Sequence, residues 1–371
     1  MMKKLDEKEW NEFGFGEIFN IRKGFYNKKP NDSGEGIIPF LGAIDSNNGV
    51  TSFLTYQEID SSSKTGDLPN SPIDKKLFPG HAIAVTNNGS VGHAYYQATE
   101  FTCSHDINPL YLRDHKMNRD EADFLIKAIE VQGKLFQYAR KWRPVRMIKS
   151  KIMLPINNVG EPDYEYMANY ARVMREKMLD KYKVFVEKQI AKLEYKDIPS
   201  LNEKKWKEFY IGNLFTISRP AARNKDDYTD GAIPFVASGS SNNGVMKFCS
   251  PINDERLDKG CCLTVSPVDG SAFFQPADFL GRGGAGSSIL LLHNDILNAY
   301  NGLFMARMIT QTCSKYLYGH MGNKKSIKRE RIMLPVNENG DPDYKYMEQY
   351  TKNMMLRKYK QYCNYREKRE M

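Results

Sequence analysis

The sequence predicts an α+β protein made of two similar units in tandem, each ending in a long helix. Short runs of Val, Ile and Phe lie between clusters of Asn, Gly and Ser, which is typical of strands joined by loops. Near the middle and the end of the chain, apolar residues recur at steps of three and four, which indicates helices. The whole pattern occurs twice, and 371 residues are enough for two domains.

Several blocks of the first half return in the same order in the second half. They are W-N-E-F at 10–13 and W-K-E-F at 206–209, I-P-F at 38–40 and 233–235, N-N-G-V at 47–50 and 242–245, I-M-L-P at 152–155 and 332–335, and P-D-Y-x-Y-M at 162–167 and 342–347. Between them the middle shortens, because Thr51–Gln97 has 47 residues and Met246–Gln275 has 30. The alternatives are duplication for stability alone and one scaffold that presents two different binding loops. We favour the scaffold.

Each half is predicted to contain strands, a short helix and a long final helix. The strands include Ala82–Val85 and Ser288–Leu292. The short helices are predicted at Asn118–Ile129, with Asn118 as N-cap, and at Asn298–Ile309. Long helices are predicted at 162–196 and 342–371, each with a stripe of Met and aromatic residues that we interpret as a packing seam. A helix of 35 residues, about 50 Å long, is too long for one small domain to cover.

Composition and charge exclude several classes of protein. Apolar residues make up 41% of the chain, which argues against disorder, and no stretch of 18 apolar residues is present. Acidic residues near the N-terminus argue against a signal peptide, so we expect a cytoplasmic protein with reduced cysteines. The six cysteines have no C-x-x-C spacing, which makes a zinc site improbable. A net charge of +9 favours polyanionic partners.

Patterns that could carry catalysis are weak. Asn108-Pro109-Leu110-Tyr111 is similar to a loop of adenine methyltransferases but lacks its second proline. Gly281–Gly286 fits G-x-G-x-x-G but leads into a strand pattern, so we interpret it as a loop without dinucleotide geometry. Asp180 and Glu194 lie on the predicted helix and have no repeat in the second half, and the histidines form no triad-like group. We therefore predict no catalytic, cofactor-binding or metal-binding residues in this chain.

A basic segment recurs at the same place in both halves, at Lys134–Lys151 and at Lys315–Arg331. The first copy has no acid, and the second has only Glu330. Phosphate binding needs dense positive charge on an ordered scaffold, which the interleaved aromatic residues would provide. A merely solvated charged face is the alternative. The candidate DNA-binding residues are Lys134, Arg140, Lys141, Arg143, Arg146 and Lys149, with Lys324, Lys325, Lys328 and Arg329.

Loops rich in Asn, Gly and Ser supply amides and hydroxyls that can read bases. Asn can form a bidentate pair with adenine, whereas Asn-Gly is equally typical of a turn. Because Asn-Asn-Gly-Val is identical in both halves, we interpret it mainly as a turn and expect base reading where the halves differ. The candidates in the differing loops are Asn87, Asn88, Ser90 and Ser271.

These duplicated blocks, in this order, resemble the DNA-specificity subunits of type I restriction-modification systems and of related type IIB enzymes. The resemblance covers nearly the whole chain, and its specificity lies in the duplicated order rather than in any single motif. It implies two tandem target-recognition domains at 1–161 and 199–341, a central spacer helix at 162–198 and a C-terminal spacer helix at 342–371. It also implies that the helices pair as an antiparallel coiled coil with pseudo-twofold symmetry.

The resemblance further implies a non-catalytic subunit that binds double-stranded DNA. Its target would be bipartite and asymmetric, with an unread spacer. Separate methyltransferase subunits would hold S-adenosylmethionine, and a restriction subunit or a nuclease fused to the methyltransferase would cleave the DNA. Helices this short leave type I and type IIB both open. The alternatives are a methyltransferase or nuclease that acts by itself, and an adaptor or decoy that reads no DNA.

Overall fold

The computed structural model describes residues 3–67, 69–136, 140–284 and 288–370, with the backbone alone for 367–370. The chain forms two compact units, Met1–Lys181 (unit 1) and Tyr182–Met371 (unit 2). The division falls inside the first long helix, so unit 1 contains its beginning and unit 2 its end. The finer domain boundaries at 161, 198 and 341 stay predictions.

Unit 1 is built from small sheets and helices. In chain order its elements are β1 (Trp10–Gly14), α1 (Phe15–Ile18), β2 (Phe19–Ile21), β3 (Ile38–Leu41), β4 (Val50–Leu54), α2 (Tyr56–Ser61), β5 (Leu77–Phe78), β6 (Ala82–Thr86), β7 (Ala94–Gln97), β8 (Phe101–Cys103), β9 (Ile107–Leu112), α3 (Arg119–Gly133), α4 (Pro144–Ile148), β10 (Lys151–Pro155) and α5 (Tyr164–Lys192). Its sheets have the orders β1-β10, β2-β9-β6-β7 and β4-β3-β8-β5. The pairing is antiparallel except between β3 and β8.

Unit 2 repeats this plan with a shorter middle. Its elements are β11 (Trp206–Tyr210), α6 (Ile211–Leu214), β12 (Thr216–Ser218), β13 (Asp230–Val236), β14 (Val245–Cys249), β15 (Cys262–Val265), β16 (Ala272–Gln275), β17 (Leu280–Gly281), β18 (Leu290–His293), α7 (Ala299–Cys313), α8 (Lys324–Arg329), β19 (Arg331–Pro335) and α9 (Tyr344–Glu370). Its sheets have the orders β11-β19, β12-β18-β15-β16 and β14-β13-β17. Trp10 pairs with Pro155 as Trp206 pairs with Pro335, so the register is repeated as well.

The predicted short helices and strands are confirmed, with shifted ends. Asn118 caps α3 by accepting a hydrogen bond from the backbone N–H of Glu121, and Asn298 caps α7 in the same way. Both helices end four residues later than predicted, because Gly133 and Cys313 are still buried in the last turn. The strand predicted at Ser288–Leu292 begins at Leu290.

The long helices are confirmed but are shorter than predicted, and α5 spans 29 residues instead of 35. Pro162 and Asp163 precede α5, since the Asp163 carboxylate accepts a hydrogen bond from the backbone N–H of Tyr166, as an N-cap does. Asp343 does the same for Tyr346 before α9. The proline and aspartate therefore start each helix from outside it.

The P-D-Y-x-Y-M block also attaches each long helix to the segment that precedes its unit's first strand. Lys8 Nζ lies 2.6 Å from Asp163 Oδ2 and 4.9 Å from the centre of the Tyr166 ring. Lys204 makes the same two contacts in unit 2, at 2.7 Å to Asp343 and 4.9 Å to Tyr346. The repeated sequence block therefore encodes a repeated three-dimensional contact.

A main hydrophobic core in each unit joins the four-stranded sheet to the short helix and the small β-pair. In unit 1 it includes Ile83, Leu110, Leu125 and Trp142. In unit 2 it includes Leu263, Leu292, Met305 and Ile332. The six cysteines are free thiols. Within the described part of the chain, no helix is both long and apolar enough to cross a membrane.

Candidate DNA interface

The basic segment of unit 1 is ordered by aromatic packing beneath it. Trp142 is fully buried, and its ring stacks on Phe136 at 4.9 Å and meets Phe15 at 5.2 Å. Its indole N–H donates to Ser150 Oγ at 2.9 Å. These contacts hold α4 and its flanking residues against the core, so the cations between them point outward. Tyr138, which the sequence places in this segment, lies outside the described residues.

The predicted cations of unit 1 form a positively charged surface. Arg140, Arg146, Lys149 and Lys151 line a depression of about 740 Å³ at the end of β10. Among the described residues that line it, Glu12 is the one acid, and its carboxylate lies 3.6 Å from Lys151 Nζ. Among the described residues, no carboxylate lies within ion-pair distance of the six predicted cations, Lys134, Arg140, Lys141, Arg143, Arg146 and Lys149. Their charge is free to attract an anion.

Unit 2 presents its cations on α8. Asn323 caps this helix and Ile327 anchors it in the core, which leaves Lys324, Lys325, Lys328 and Arg329 exposed. Glu330, the single acid of the segment, accepts a hydrogen bond from Lys315 at 2.7 Å and another from the Tyr316 hydroxyl at 2.5 Å. The acid therefore neutralises Lys315 rather than the predicted cations of α8.

The structure brings the basic segment and the variable loop together in both units. In unit 1 the backbone N–H of Trp142 donates to the carbonyl of Asn87 at 3.1 Å. In unit 2 the backbone N–H of Gly322 donates to the carbonyl of Pro267 at 2.8 Å. The variable loop is the connection from β6 to β7 in unit 1 and from β15 to β16 in unit 2, and the two loops differ from each other in sequence. Each unit therefore has one continuous face that combines repeated cations with a loop of its own.

The side chains predicted to read bases do not all reach this face. Asn87 is fully buried, and its amide donates to the His105 carbonyl at 3.2 Å and to Asn108 Oδ1 at 2.9 Å. Ser271 is only 8% exposed. These two predictions are corrected, because buried side chains cannot meet a base edge: Asn87 supports its loop from within, and the Ser271 side chain is buried in the fold. Asn88 and Ser90 are partly exposed and stay candidates.

Asn108, from the motif similar to a methyltransferase loop, is a structural residue. It is buried in β9, and its amide donates to the Trp142 carbonyl at 3.1 Å. Asn108 and Asn87 thus form one polar bridge between the variable loop and the basic segment. The Asn108 side chain therefore links core segments beneath the candidate interface.

The Asn-Asn-Gly-Val blocks are turns, as predicted. Asn47 and Asn48 have φ values of 49° and 54°, and Asn242 and Asn243 have 49° and 56°. The Asn48 amide donates to the Tyr96 carbonyl, and the Asn243 amide donates to the Phe274 carbonyl, both at 3.1 Å. Left-handed backbone favours asparagine, and these amides are used within the fold.

In the Gly281–Gly286 segment, Gly281 ends β17, residues 282–284 form a loop, and residues 285 and 286 lie outside the described residues. Gly283 bridges to Ala222, and a Cβ there would lie 2.1 Å from the Pro220 carbonyl oxygen. Close backbone approach therefore explains this glycine. Glu194 Oε2 lies 3.4 Å from Lys196 Nζ, which confirms the predicted surface ion pair. No group of three or more potential metal ligands occurs among the described residues.

The predicted seam is visible within unit 2. The Tyr182 ring meets Tyr362 at 4.8 Å and the Phe185 ring meets Tyr359 at 6.4 Å, so the end of α5 runs antiparallel to α9. Val186 is fully buried there. In unit 1, by contrast, Met178 of the same stripe is 67% exposed and lines an apolar groove of about 780 Å³ beside α3.

Comparison with known proteins identifies the family. The family described as "Type I restriction modification DNA specificity domain" matches residues 7–192 and 203–362. The chain belongs to this family of DNA specificity subunits. A relative, the "Type II restriction enzyme BgcI specificity subunit S.BcgI" of Heyndrickxia coagulans, is 30% identical over 288 residues, which are 76% of this chain and 80% of that protein.

Two solved structures of specificity subunits also match the chain. The S subunit of a type I restriction-modification system from M. genitalium aligns over 98% of this chain and 93% of its own, at 14% identity and a TM-score of 0.45. The HsdS subunit from Thermoanaerobacter tengcongensis aligns over 95% and 91%, at 14% identity and a TM-score of 0.29. The family match confirms the predicted resemblance, the two tandem recognition domains and the role in DNA recognition.

One exposed aromatic residue beside the candidate DNA interface of this specificity subunit was not predicted. Tyr318 lies between α7 and α8, beside the basic helix, and is 85% exposed. Its sequence signal was available, because Tyr138 precedes it by 180 residues, the offset of the neighbouring blocks.

Proposed function

We propose that this specificity subunit is non-catalytic and reads an asymmetric, bipartite DNA target with an unread spacer. The observation that carries the proposal is the duplicated face, in which repeated cations adjoin a loop that differs between the units. Repeated cations suit the uniform phosphate backbone, whereas differing loops suit different bases. Two such faces would bind two different half-sites.

The remaining functions of the complex belong to partner proteins in this proposal. Methyltransferase subunits hold S-adenosylmethionine, and a restriction subunit or a nuclease fused to the methyltransferase cleaves the DNA. The stripe on α5 and α9 supports a role in assembly, since the ring contacts within unit 2 pair these helices antiparallel. The spacer coiled coil implied by the family resemblance would be built from these two helices. Type I and type IIB assemblies are both compatible with it.

The decisive experiment maps methylated bases across the genome in cells with and without this gene. Deletion should remove one methylation motif made of two unlike half-sites separated by unspecified bases. A lost motif that is continuous or palindromic would contradict the proposal. Incubating the purified chain alone with DNA and S-adenosylmethionine tests the main alternative, and methyl transfer under these conditions would make the chain an enzyme.

Salt dependence tests whether the duplicated faces bind phosphates. Replacing Arg143 and Arg146 together by Ala should weaken DNA binding across sequences and reduce the slope of log affinity against log salt by about 1.8, or ~0.9 for each phosphate contact. Lys324 and Lys325 should behave alike in unit 2. Lys3 and Lys4 are exposed and lie near the first turn of α5, at the other end of the β1-β10 pair, so their Ala variants are the control. Unchanged slopes in both test variants would favour an adaptor that reads no DNA.

A further inference from the structure

A small hairpin in unit 2 carries an exposed apolar tip. Leu317 and His320 exchange two backbone hydrogen bonds, of 3.3 and 2.8 Å, which closes a tight turn between α7 and α8. Tyr318 at the tip is 85% exposed, Leu317 is 64% exposed and Met321 is 53% exposed. Three neighbouring large apolar side chains in solvent form a patch that indicates a binding surface.

The base of this hairpin is firmly held. Tyr316 is only 2% exposed, its hydroxyl bonds to Glu330, and its ring stacks on His320 at 6.1 Å. On the other side, the bond from Gly322 to Pro267 fixes the hairpin to the variable loop between β15 and β16. The tip is therefore presented by an ordered support, which lowers the entropy that binding would cost.

The charges around the tip select a polyanion. Lys324, Lys325 and Lys328 are exposed on the helix that follows. Glu330, the acid at the end of this helix, is paired with Lys315 and also accepts the Tyr316 hydroxyl. The side chains of Leu317 and Met321 and the ring of Tyr318 have no charge with which to attract phosphates, but they can pack on base surfaces while the neighbouring lysines hold the backbone.

We propose that Tyr318 is a DNA wedge that inserts at a base step of the half-site bound by unit 2. The inference rests on the proposed function and adds a specificity-determining contact to it. A wedge partly unstacks the step and reads how easily that step deforms, so it contributes sequence preference without a hydrogen bond to a base. Tyr138 occupies the same place in the repeat by sequence.

The test uses a duplex that carries the mapped methylation motif, with 2-aminopurine placed in turn at each step of the half-site. The full-length chain, alone and co-expressed with the proposed methyltransferase subunit, should raise the fluorescence at one step. Tyr318→Ala should abolish this signal and weaken binding roughly 5- to 100-fold, whereas Tyr318→Phe should keep both because it retains the ring. Tyr195→Ala is the matched control, since Tyr195 is 61% exposed but lies beyond the end of α5.

The salt slope separates this inference from the proposed function. Tyr318→Ala should leave the slope unchanged because it removes no phosphate contact, while the Lys324 and Lys325 variant should reduce it. Unchanged affinity of Tyr318→Ala would overturn the wedge even where the lysine variant behaves as expected. Equal losses for Ala and Phe would overturn it in favour of a hydrogen bond from the hydroxyl. Normal DNA binding with failed methyltransferase assembly would overturn it in favour of a protein contact.

Discussion

The two units fix their unlike middle regions with different buried cations. Unit 1 uses Lys76, just before β5, and unit 2 uses Arg223, before β13. Neither residue belongs to the repeated blocks, and each binds a segment found in its own unit. The two units therefore share the repeated frame of the fold, but a different buried cation holds the middle region in each unit.

Lys76 is a buried ammonium held mostly by backbone carbonyls. Its Nζ donates to the carbonyls of Ile59 and Asp60 at 3.1 and 2.7 Å, and to the Asn70 side chain. The residue is fully buried, and burial lowers the pKa of its ammonium, against the opposing effect of the Asp60 charge. These contacts hold α2 and its following loop, which belong to the longer middle of unit 1.

Arg223 is a buried guanidinium held by carboxylates. Its Nε and Nη1 lie 2.7 Å from Glu255 and 2.7 Å from Asp258, and it also donates to the Gly281 and Arg256 carbonyls. Burial alone would lower the pKa of Arg223, but the hydrogen bond to Glu255 and the Asp258 charge outweigh burial and raise it. The planar guanidinium therefore joins its own segment to the one that contains Glu255 and Asp258 and to the one that contains Gly281.

This difference shows that the variable region needs a rigid base but no particular chemistry to obtain one. Lys76, held by carbonyl oxygens, is a single buried charge. Arg223, held by two carboxylates, is part of a buried cluster in which each charge offsets the desolvation of the others. Removal of the cation should therefore be more harmful in unit 2 than in unit 1.

The largest effect is expected for Arg223→Met. The substitution leaves Glu255 and Asp258 partly buried without their cation, which should destabilise unit 2 by about 3 kcal/mol. Hydrogen exchange around residues 250–265, together with denaturant unfolding, measures the change. Arg223→Lys should restore only part of the lost stability, because an ammonium group cannot bind both carboxylates with the fixed geometry of a guanidinium. Lys259→Met removes an exposed pair with Asp278 in the same unit and should cost under ~1 kcal/mol.

The same cluster should make unit 2 sensitive to acid. Burial by itself would raise the pKa of Glu255, but hydrogen bonds from Arg223 and from the backbone of Ile252 lower it overall. Because the folded-state pKa lies below the unfolded one, this stabilisation is complete above pH ~4.3 and is lost as the pH falls through the folded-state value. Arg223→Met should remove this part of the pH dependence of unfolding.

A smaller effect is expected for Lys76→Met. Methionine fills the same volume, and removal of a desolvated charge offsets part of the loss, but three acceptors lose their donor. We expect a cost of about 1–2 kcal/mol, with faster hydrogen exchange confined to residues 55–77. A cost equal to that of Arg223→Met would break the comparison between the two units.

The smallest effect is expected where the short and long helices meet. In unit 1, Arg175 of α5 bonds to Asp120 and, at 2.8 Å, to Asp123 of α3. The corresponding positions of unit 2, at the offset of 180, hold Met355, Tyr300 and Leu303. Arg175 is 39% exposed, so Arg175→Met should cost under ~1 kcal/mol, and the cost should shrink with added salt. Thermal unfolding at low and high salt measures it, and a large salt-independent loss would contradict this.

Features that depend on neighbours in the sequence were predictable before the structure. The helix caps at Asn118 and Asn298, the turns at the Asn-Asn-Gly-Val blocks and the strand at Ala82–Val85 each follow from a few adjacent residues. The basic segments were also visible, because charge density can be counted along a chain. By contrast, Lys76 and Arg223 had no signal, since a single cation in a polar loop looks like any exposed one.

The sequence by itself determined the duplicated frame, the positions of the short and long helices and the recurrence of charge, because each arises from local periodicity or repetition. Only the tertiary structure decided which polar side chains face outward. Asn87 and Ser271 looked like base readers, yet contacts with distant segments bury them, while Tyr318 remains exposed on a hairpin held by Tyr316 and Gly322. Local propensity acts over a few residues, whereas burial depends on segments far apart in the chain that pack together.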